Sequence, residues 1–600
     1  MDDGILLSVR GLSLTLPTEG GRAQALNDVT FDVPRGSVFA LVGESGCGKS
    51  LTASAIMRLL PEGARVPRGE ILLEGTDLLA LTENEMRSVR GGRAAMIFQE
   101  PAAALDPVMT AGGQIAEMIL AHSRVTKKEA EAEAVRWIGR VGLPDPEKTA
   151  RKYPHELSGG QKQRVMIASA LSAGPSLLIA DEPTTALDVT VQAQILDLLD
   201  ELRAKRDLTV LLITHDLAVV KARADRLALM YAGETLEEAD AADFFAAPAH
   251  PYAKALLRAL PKAGRSETLI PIEGTVPSIE KPVKGCRFAP RCPIARASCT
   301  AEDPALIEIA PRHLCRCPHR EALPGAAQKA EGSAPSGGEP LLRVENLTVD
   351  YRSRGFFAKK HAFRAVDGVS FTIAQGETLA LVGESGSGKT TAAMAALALL
   401  GDAAEVSGRI ELAGEQILPA TPEGTAHLRK SAQIIFQDPY SSLDPRMSIL
   451  ETLTEGMKSL RPELGEKERI EKALALLEAV GLPREAAGRL PHAFSGGQRQ
   501  RVAIARALSA EPKLIVCDEP TSALDVSVQA QILNLLNRLQ RRFGLSYLFI
   551  THNFAVVEHM ADRIAVMRRG RIVEEGTAAE VLGAPKDPYT VRLLESVPRL

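Results

Sequence analysis

Short apolar runs, separated by glycine-rich and polar segments, recur along the chain and have the length of buried strands. "SVFALV" (37–42) and "TLALV" (378–382) each precede a glycine-rich loop and then a helix-like run. "LLIADEP" (177–183) and "LIVCDEP" (514–520) end in acids, and "TVLLIT" (209–214) and "SYLFIT" (546–551) end before a histidine. Strand-sized runs that alternate with helical patterns predict an α/β fold with a largely parallel sheet.

No apolar run is long enough to cross a membrane, which takes about 18 residues or more. The nearest candidates are "TTAAMAALALLG", which is too short, and "MIASALSAGPSLLIA", which Gly174–Pro175 interrupts. The acidic N-terminus "MDDGILLSVR" lacks the features of a secretory signal. We therefore expect a cytosolic protein without a disulfide framework. A net charge of −4 argues against nucleic acid as a partner.

Five sequence blocks occur twice in the same order, so the chain is a tandem repeat. "LVGESGCGKS" returns as "LVGESGSGKT", "IFQEP" as "IFQDP", "LSGGQKQR" as "FSGGQRQR", "IADEPTTALDV" as "VCDEPTSALDV", and "ITHDLAVV" as "ITHNFAVV". The spacing between equivalent residues drifts only from 340 at Lys49/Lys389 to 337 at His215/His552. The predicted segments are a first copy (1–265), a Cys-rich extension (266–322), a flexible linker (323–340), a second copy (341–585) and a tail (586–600).

Each copy contains a loop of the pattern G-x-x-x-x-G-K-[ST], which closes backbone N–H groups around phosphate oxygens. Lys49 and Lys389 are expected to reach the β- and γ-phosphates, and Ser50 and Thr390 to coordinate Mg²⁺. The predicted nucleotide-binding residues are Gly43, Glu44, Ser45, Gly46, Cys47, Gly48, Lys49 and Ser50 in the first loop, and Gly383, Glu384, Ser385, Gly386, Ser387, Gly388, Lys389 and Thr390 in the second loop.

Acids at the ends of the buried strands complete the predicted chemistry. Ligands of α/β sheets bind at the carboxyl ends of strands, so Asp181 and Asp518 are expected to coordinate Mg²⁺. Glu182 and Glu519 follow and are predicted to act as general bases on the attacking water.

A histidine and a glutamine recur at matching distances from these acids in both copies. His215 and His552 are predicted as catalytic residues that sense or stabilise the γ-phosphate region. Gln99 and Gln437 follow the runs "MIF" and "IIF", and are expected to help hold Mg²⁺ or water.

"LSGGQKQR" and "FSGGQRQR", together with the motifs above, resemble the signature of ATP-binding-cassette (ABC) ATPases. The resemblance implies two tandem P-loop NTPase domains, each a RecA-like core with a helical subdomain, that pair within the chain around two Mg·ATP. The first copy's ATP would also contact Ser495, Gly496, Gly497 and Gln498. The second copy's ATP would contact Ser158, Gly159, Gly160 and Gln161, with Asp188 and Asp525 at the seam.

The family's adenine-stacking position differs between the copies. ABC proteins usually place an aromatic residue just after the first strand, and Tyr351 in "LTVDY" fits, with Phe356, Phe357 and Phe363 as alternatives. Leu16 stands in the matching place of the first copy. Since a stacked base contributes about 1 kcal/mol, we expect weaker ATP binding by the first copy.

Finer features resemble the fused ATPase subunits of bacterial dipeptide/oligopeptide (peptide/nickel) importers. The two tails "HPYAKALLRALP" and "DPYTVRLLESVP" carry this similarity. It implies an ATP-hydrolysing subunit, peripheral at the cytoplasmic face of the bacterial inner membrane. Its partners would be two integral membrane permease subunits and an extracytoplasmic solute-binding protein. Alternative solutes are glutathione, nickel or a peptide antibiotic, and the rival class is a non-transport ABC ATPase acting on ribosomes or DNA.

Five of the seven cysteines lie in "GCRFAPRCPIARASC" (285–299) and "HLCRC" (313–317). Four thiols within about 30 residues can hold Zn²⁺ or a 4Fe–4S cluster, while buried free thiols or a disulfide are the alternatives. Resemblance to the importer ATPase implies 4Fe–4S on Cys286, Cys292, Cys299 and Cys317, with Cys315 in reserve. The arginines around them would offset cluster charge or form a solvated basic surface.

Overall fold

The computed structural model describes residues 4–184, 189–261, 269–278, 283–324, 339–351, 363–522 and 524–598. The strands of the first copy are β1 (Ile5–Thr18), β2 (Gly21–Pro34), β3 (Val38–Val42), β4 (Arg65–Leu73), β5 (Thr76–Asp77), β6 (Ala94–Ile97), β7 (Leu177–Asp181), β8 (Thr209–Ile213), β9 (Arg226–Tyr231) and β10 (Glu234–Asp240). Its helices are α1 (Lys49–Ile56), α2 (Glu83–Val89), α3 (Pro101–Ala104), α4 (Ala111–His122), α5 (Lys127–Arg140), α6 (Pro146–Thr149), α7 (Gly159–Ser172), α8 (Val189–Arg206), α9 (Leu217–Arg223), α10 (Ala241–Ala246) and α11 (Pro251–Ala259), with a 3-10 turn at Pro154–Glu156.

The extension and the second copy follow the same chain order. The extension contributes a 3-10 turn (Ala289–Arg291), α12 (Ser298–Ala301), β11 (Ile307–Ala310) and β12 (His313–Cys315). The second copy's strands are β13 (Pro340–Tyr351), β14 (Phe363–Ala374), β15 (Thr378–Val382), β16 (Ala404–Leu412), β17 (Glu415–Leu418), β18 (Ala432–Ile435), β19 (Leu514–Asp518), β20 (Ser546–Ile550), β21 (Arg563–Arg568) and β22 (Arg571–Thr577). Its helices are α13 (Lys389–Ala396), α14 (Pro422–Ser431), α15 (Ile449–Leu460), α16 (Glu466–Ala479), α17 (Gly496–Leu508), α18 (Val526–Phe543), α19 (Phe554–Met560), α20 (Ala578–Gly583) and α21 (Pro588–Glu595), with 3-10 turns at Gly401–Ala403, Arg484–Gly488 and Pro491–Ala493.

Each copy has a central sheet whose middle strands are parallel. The orders are β11-β12-β10-β9-β3-β8-β7-β6 in the first copy and β18-β19-β20-β15-β21-β22 in the second. Strands β3, β7 and β8 are buried at every residue, because helices cover both faces of such a sheet. This arrangement confirms the predicted α/β fold and brings β3, β7 and β8 to one carboxyl edge.

A smaller antiparallel sheet lies beside each central sheet. The orders are β2-β1-β4-β5 and β14-β13-β16-β17. The side chains of β1, β2 and β4 share one apolar cluster with α1, which follows the first loop. The first loop therefore leaves a buried strand and enters a helix that is packed against a second sheet.

The extension continues the central sheet of the first copy. Strand β12 pairs antiparallel with β10 at Glu237↔Cys315 and Glu238↔Leu314, and β11 adds one further strand. Arg258 on α11 donates to the carbonyl of Leu323, which also ties the end of the extension to the first copy. The Cys-rich segment is thus part of the sheet's edge and is not a separate lobe.

The two copies meet through one apolar cluster. It includes Leu256 of α11 and Leu269 and Ile272 of the extension on one side, and residues of α18 on the other. Gly544 caps the C-terminus of α18, and its φ of 63° is left-handed, which favours glycine. Asn534 and Gln531 on α18 donate to the carbonyls of Leu269 and Ile272.

Membrane-spanning helices are absent from the residues that the structure describes. The longest helices there, α8 and α18, have 18 residues each and carry charged side chains from Asp197 and Arg538 onward respectively.

Candidate functional site

The first loop connects β3 to α1 and begins at a position that only glycine can occupy. Gly43 has φ 150°, and a Cβ atom there would lie 2.2 Å from the carbonyl oxygen of Met230. Gly383 meets the carbonyl oxygen of Met567 in the same way in the second loop. The backbone of both loops therefore packs directly on the neighbouring strand, which fixes the loop's path.

The two loop lysines occupy the same position in their copies. Lys49 Nζ donates to the carbonyl oxygens of Gly43 at 2.7 Å and Glu44 at 3.0 Å. Lys389 Nζ makes the equivalent bonds to Gly383 and Glu384, both at 2.8 Å. Both ammonium groups are held over the loop, where an incoming anion would meet them.

A hydroxyl and a carboxylate come together at the start of each helix that follows a loop. Ser50 Oγ donates to Asp181 Oδ1 at 3.0 Å, and Thr390 Oγ1 donates to Asp518 Oδ1 at 3.1 Å. Burial raises the pKa of both aspartates, although the hydroxyl bonds oppose the rise. A divalent cation would remove this penalty, because oxygen ligands of this kind are the ones that Mg²⁺ prefers.

A glutamine and a histidine hold each predicted general base from two sides. Gln99 Nε2 donates to Glu182 Oε2 at 2.9 Å, and His215 Nδ1 lies 3.1 Å from Glu182 Oε1. In the second copy, Gln437 and His552 make the same contacts to Glu519, at 3.0 Å each. The structure therefore brings together residues from three separate sequence blocks in each copy.

The backbone at both glutamates is left-handed, which is uncommon for a residue with a side chain. Glu182 has φ 47° and Glu519 has φ 46°. Such strain concentrates at functional sites, and here it recurs at equivalent residues. Burial alone would raise the pKa of Glu519, but the hydrogen bond and charge of His552 outweigh it and lower that pKa. Burial alone would lower the pKa of His215, but the hydrogen bond and charge of the Glu182 carboxylate outweigh burial and raise that pKa.

The signature serines cap helices. Ser158 Oγ accepts from the N–H of Gln161 at 3.3 Å, and the Gln161 side chain accepts from the N–H of Ser158. Ser495 and Gln498 form the same capping box on α17. Because a helix N-terminus attracts anions, these ends suit a phosphate.

The second copy contacts the first loop through residues at the start of α18 and just before it. Asp525 Oδ1 accepts from the N–H of Ser45 at 2.5 Å, so Asp525 lies at the seam. In the described part of the chain, no hydrogen bond joins either signature segment to the opposite loop. Asp188 lies outside the described residues.

Two residues at this seam were missed by the sequence analysis. Arg291 of the extension forms an ion pair with Glu44 of the first loop, and Ser527 of α18 donates to the same carboxylate. The positions are 247 and 483 residues away from Glu44, so no local pattern could reveal the contacts.

The aromatic residue predicted to stack on adenine is half-buried. Tyr351 packs against the core of the second copy and pairs across the sheet with Phe363, whose side chain is 65% exposed. Phe356 and Phe357 lie outside the described residues. Leu16 in the first copy also packs on its core.

The predicted metal ligands lie near one another but do not converge. The described residues contain no group of three or more His, Cys, Asp or Glu side chains that could hold a metal ion. Burial raises the pKa of Cys286, to about 11, and that of Cys315, to about 12. Burial also raises the pKa of Cys292 and Cys317, and the other thiols add to that rise. The thiols of the described residues form no ready-made cluster or Zn²⁺ site, so the metal centre stays a prediction.

The arginines of the extension divide into two groups. Arg287, Arg291 and Arg316 are buried and pair with Glu234, Glu44 and Asp28 respectively. Arg296 and Arg312 are exposed. For the buried three, the predicted solvated surface was wrong, and their ion-pair partners are carboxylates of the first copy.

Comparison with known proteins identifies the family. The sequence pattern of the ABC transporter family matches residues 26–185 and 366–522, one stretch in each copy. The chain belongs to the ABC transporter family. The pattern of the oligopeptide/dipeptide transporter C-terminal region matches residues 236–299 and 573–600. The family resemblance and its two tandem ABC domains are thereby confirmed.

Two relatives extend the similarity over the full length. The chain is 45% identical to the oligopeptide transport ATP-binding protein OppD of Mycobacterium tuberculosis, across 99% of this chain and 98% of that protein. It is 43% identical to the glutathione import ATP-binding protein GsiA of Escherichia coli K12, across 100% of this chain and 90% of that protein.

Proposed function

We propose that the chain is the ATP-hydrolysing subunit of a bacterial importer that takes up oligopeptides or peptide-like solutes. The observation that carries the proposal is the duplicated arrangement of lysine, hydroxyl, aspartate, glutamate, glutamine and histidine, with equivalent distances in both copies. Neither copy lacks a member of the set, which supports two hydrolytic sites. The similarity to a named oligopeptide transport ATP-binding protein supports the solute class.

The residues of each copy have distinct roles in this proposal. Each site would hold one Mg²⁺, which neutralises negative charge on the β- and γ-phosphates when bound. The proposed ligands are Ser50, Asp181 and Gln99 in the first copy, and Thr390, Asp518 and Gln437 in the second. Lys49 and Lys389 bind the same phosphates. The short Ser50–Asp181 distance and the burial of Asp181 support this ligand set.

Glu182 and Glu519 are the proposed general bases. A base must be ionised at neutral pH and must be held in one orientation toward the water. The lowered pKa of Glu519 meets the first condition, and the bonds from Gln437 and His552 meet the second. The carboxylate takes a proton from the water molecule while the water oxygen attacks the γ-phosphorus. The bond between the γ-phosphorus and the ADP oxygen, on the opposite side, breaks as the new bond forms.

We also propose that the two copies close on two ATP molecules. Each ATP would contact the signature helix of the opposite copy, Ser495–Gln498 for the first site and 158–161 for the second. The contact of Asp525 with Ser45 supports pairing of the copies along this seam. Tyr351 or Phe363 would stack on adenine in the second site only.

As a separate proposal, the cysteine stretch binds a structural metal. A 4Fe–4S cluster, or Zn²⁺, on Cys286, Cys292, Cys299 and Cys317 (or Cys315) is supported by the mutual proximity of the thiols. No step of hydrolysis passes through it. Purification without oxygen, a visible spectrum and metal analysis test it: absence of both iron and zinc would remove the proposal.

The partners follow from the relatives. We propose that two integral permease subunits hold the chain at the cytoplasmic face of the inner membrane, and that an extracytoplasmic binding protein delivers the solute. Glutathione is the second candidate solute, because one relative is named as a glutathione import protein.

The test is uptake into proteoliposomes that contain the permease subunits, with this chain on the ATP side and the binding protein on the other. Oligopeptide uptake driven by ATP is expected, with glutathione as the comparison solute. A chain with both loop lysines replaced by alanine is the control. Hydrolysis stimulated by ribosomes or DNA, and not by the permease subunits, would refute the proposal.

A further inference from the structure

The Cys-rich extension touches the first loop through one buried ion pair. Arg291 ends the 3-10 turn Ala289–Arg291, and its Nη1 lies 2.7 Å from Oε2 of Glu44. Both side chains are only 3% exposed. A buried charge is strongly destabilising once its partner leaves, so this contact resists separation.

Glu44 also contacts the second copy. Ser527 Oγ on α18 donates to Glu44 Oε1, while Arg291 donates to both carboxylate oxygens, through Nη1 to Oε2 at 2.7 Å and through Nη2 to Oε1 at 3.4 Å. The adjacent Ser45 N–H donates to Asp525. One carboxylate of the first loop therefore joins the extension to the second copy.

Arg291 is itself fixed by the segment that docks on α18. Its Nε donates to the carbonyl of Glu273 at 2.9 Å, and its Nη2 donates to the carbonyl of Ile272 at 3.3 Å. The same Ile272 carbonyl accepts from Gln531 of α18. The guanidinium thus sits where the extension, the first loop and α18 meet.

The described residues show no equivalent link at the second loop. Glu384 is half-buried, and no ion pair or hydrogen bond of its side chain occurs within the described ranges. Thr190 stands where Ser527 stands in the repeat, and no hydrogen bond joins it to Glu384 in the described ranges.

We propose that Arg291 is a positioning residue by which the extension holds the first loop against α18, so that the two ATP sites open unequally. Opening the first site must break the Arg291–Glu44–Ser527 link, whereas the second site opens without this cost. That the two sites bind ATP rests on the proposed function, whereas the contacts between Arg291, Glu44 and Ser527 do not depend on it.

The test measures amide hydrogen exchange by mass spectrometry, with fragmentation to single residues, on the full chain without nucleotide. The Ser45 amide reports the seam directly, and the Ser385 amide of the second loop is its internal comparison. In the unmodified chain, Ser45 is expected to exchange more slowly than Ser385. Because no hydrolysis is involved, failure of the proposed function would not affect the result.

Two variants remove the link from opposite sides. Arg291→Gln and Ser527→Ala should each speed exchange at Ser45 by about tenfold, since a hydrogen bond to a charged group is lost. Arg291→Lys keeps the charge and should restore part of the protection. Arg296→Gln, which breaks an exposed ion pair of the same extension, should leave Ser45 unchanged.

Exchange in residues 285–299 shows whether the extension remains folded. Ser527→Ala lies in the second copy and leaves the extension intact, so its result stands even where Arg291→Gln loosens those residues. Faster exchange at Ser45 in both variants supports the proposal. An unchanged rate at Ser45 in either variant overturns it.

Discussion

A buried histidine should make the first copy sensitive to acid. His250 precedes α11, is 1% exposed, and its Nδ1 accepts from the N–H of Tyr252 at 3.0 Å. Its ring packs beside Phe288 at a centroid distance of 6.0 Å, and its Nε2 has no hydrogen-bond partner among the described residues. Burial, with smaller effects from Lys254 and Arg316, lowers the pKa of His250 to about 3.

The sign and size of the effect follow from this lowered pKa. Between pH 6.5 and 3 the unfolded chain binds a proton at this residue and the folded chain does not, so the free energy of unfolding falls as pH falls. With pKa values of 6.5 unfolded and about 3 folded, the loss between pH 7.5 and 5 is about 2 kcal/mol.

The substitution His250→Asn tests this, because asparagine keeps a cap acceptor for the Tyr252 N–H and does not titrate. Trp137 is the chain's one tryptophan and lies in the first copy, so its fluorescence in urea reports unfolding there. The unmodified protein should lose about 2 kcal/mol more than His250→Asn between pH 7.5 and 5. His155→Asn, at an exposed position, is the control. Equal pH dependence of the unmodified protein and His250→Asn would refute the reasoning.

The remaining predictions concern the first loop and the docking of the copies. Gly43→Ala should weaken ATP binding at the first site more than tenfold, since its Cβ would lie 2.2 Å from the Met230 carbonyl oxygen. A filter assay should then find one ATP bound per chain where the unmodified protein binds two. Gly20→Ala, with open space around it, should bind two, and equal binding by both variants would contradict the account. Asn534→Ala should lower the stability of the docked copies by about 1 kcal/mol, because the Leu269 carbonyl loses its donor. Calorimetry measures this, and an unchanged unfolding temperature would argue against that contact.

Much of each site could be predicted because short-range rules place its residues. The glycines of the first loop define a phosphate-binding turn, and an apolar strand must deliver Asp181 and Glu182 to the carboxyl edge of its sheet. The position of His215 after the next strand then brings it to Glu182, at 3.1 Å. Two copies made each of these inferences stronger than one motif alone.

The link through Arg291 could not be predicted, because it depends on how distant segments pack. Nothing local distinguishes Arg291, which is buried on Glu44, from Arg296, which is exposed. The pairing of β12 with β10 likewise depends on tertiary context, and this strand addition determines which arginines are buried. Cysteine spacing alone could not decide whether the thiols converge.

The most direct test of two catalytic glutamates is the double variant Glu182→Gln, Glu519→Gln in the full chain, assayed for ATP bound at equilibrium and for phosphate release. Each amide can still bond both neighbours, with its oxygen on the histidine and its NH2 donating to a Gln99 or Gln437 amide that turns its oxygen toward it, but it cannot accept a proton from water. The account predicts two ATP molecules bound per chain and no phosphate release above background. Continued release at the unmodified rate, or binding of a single ATP, would contradict it.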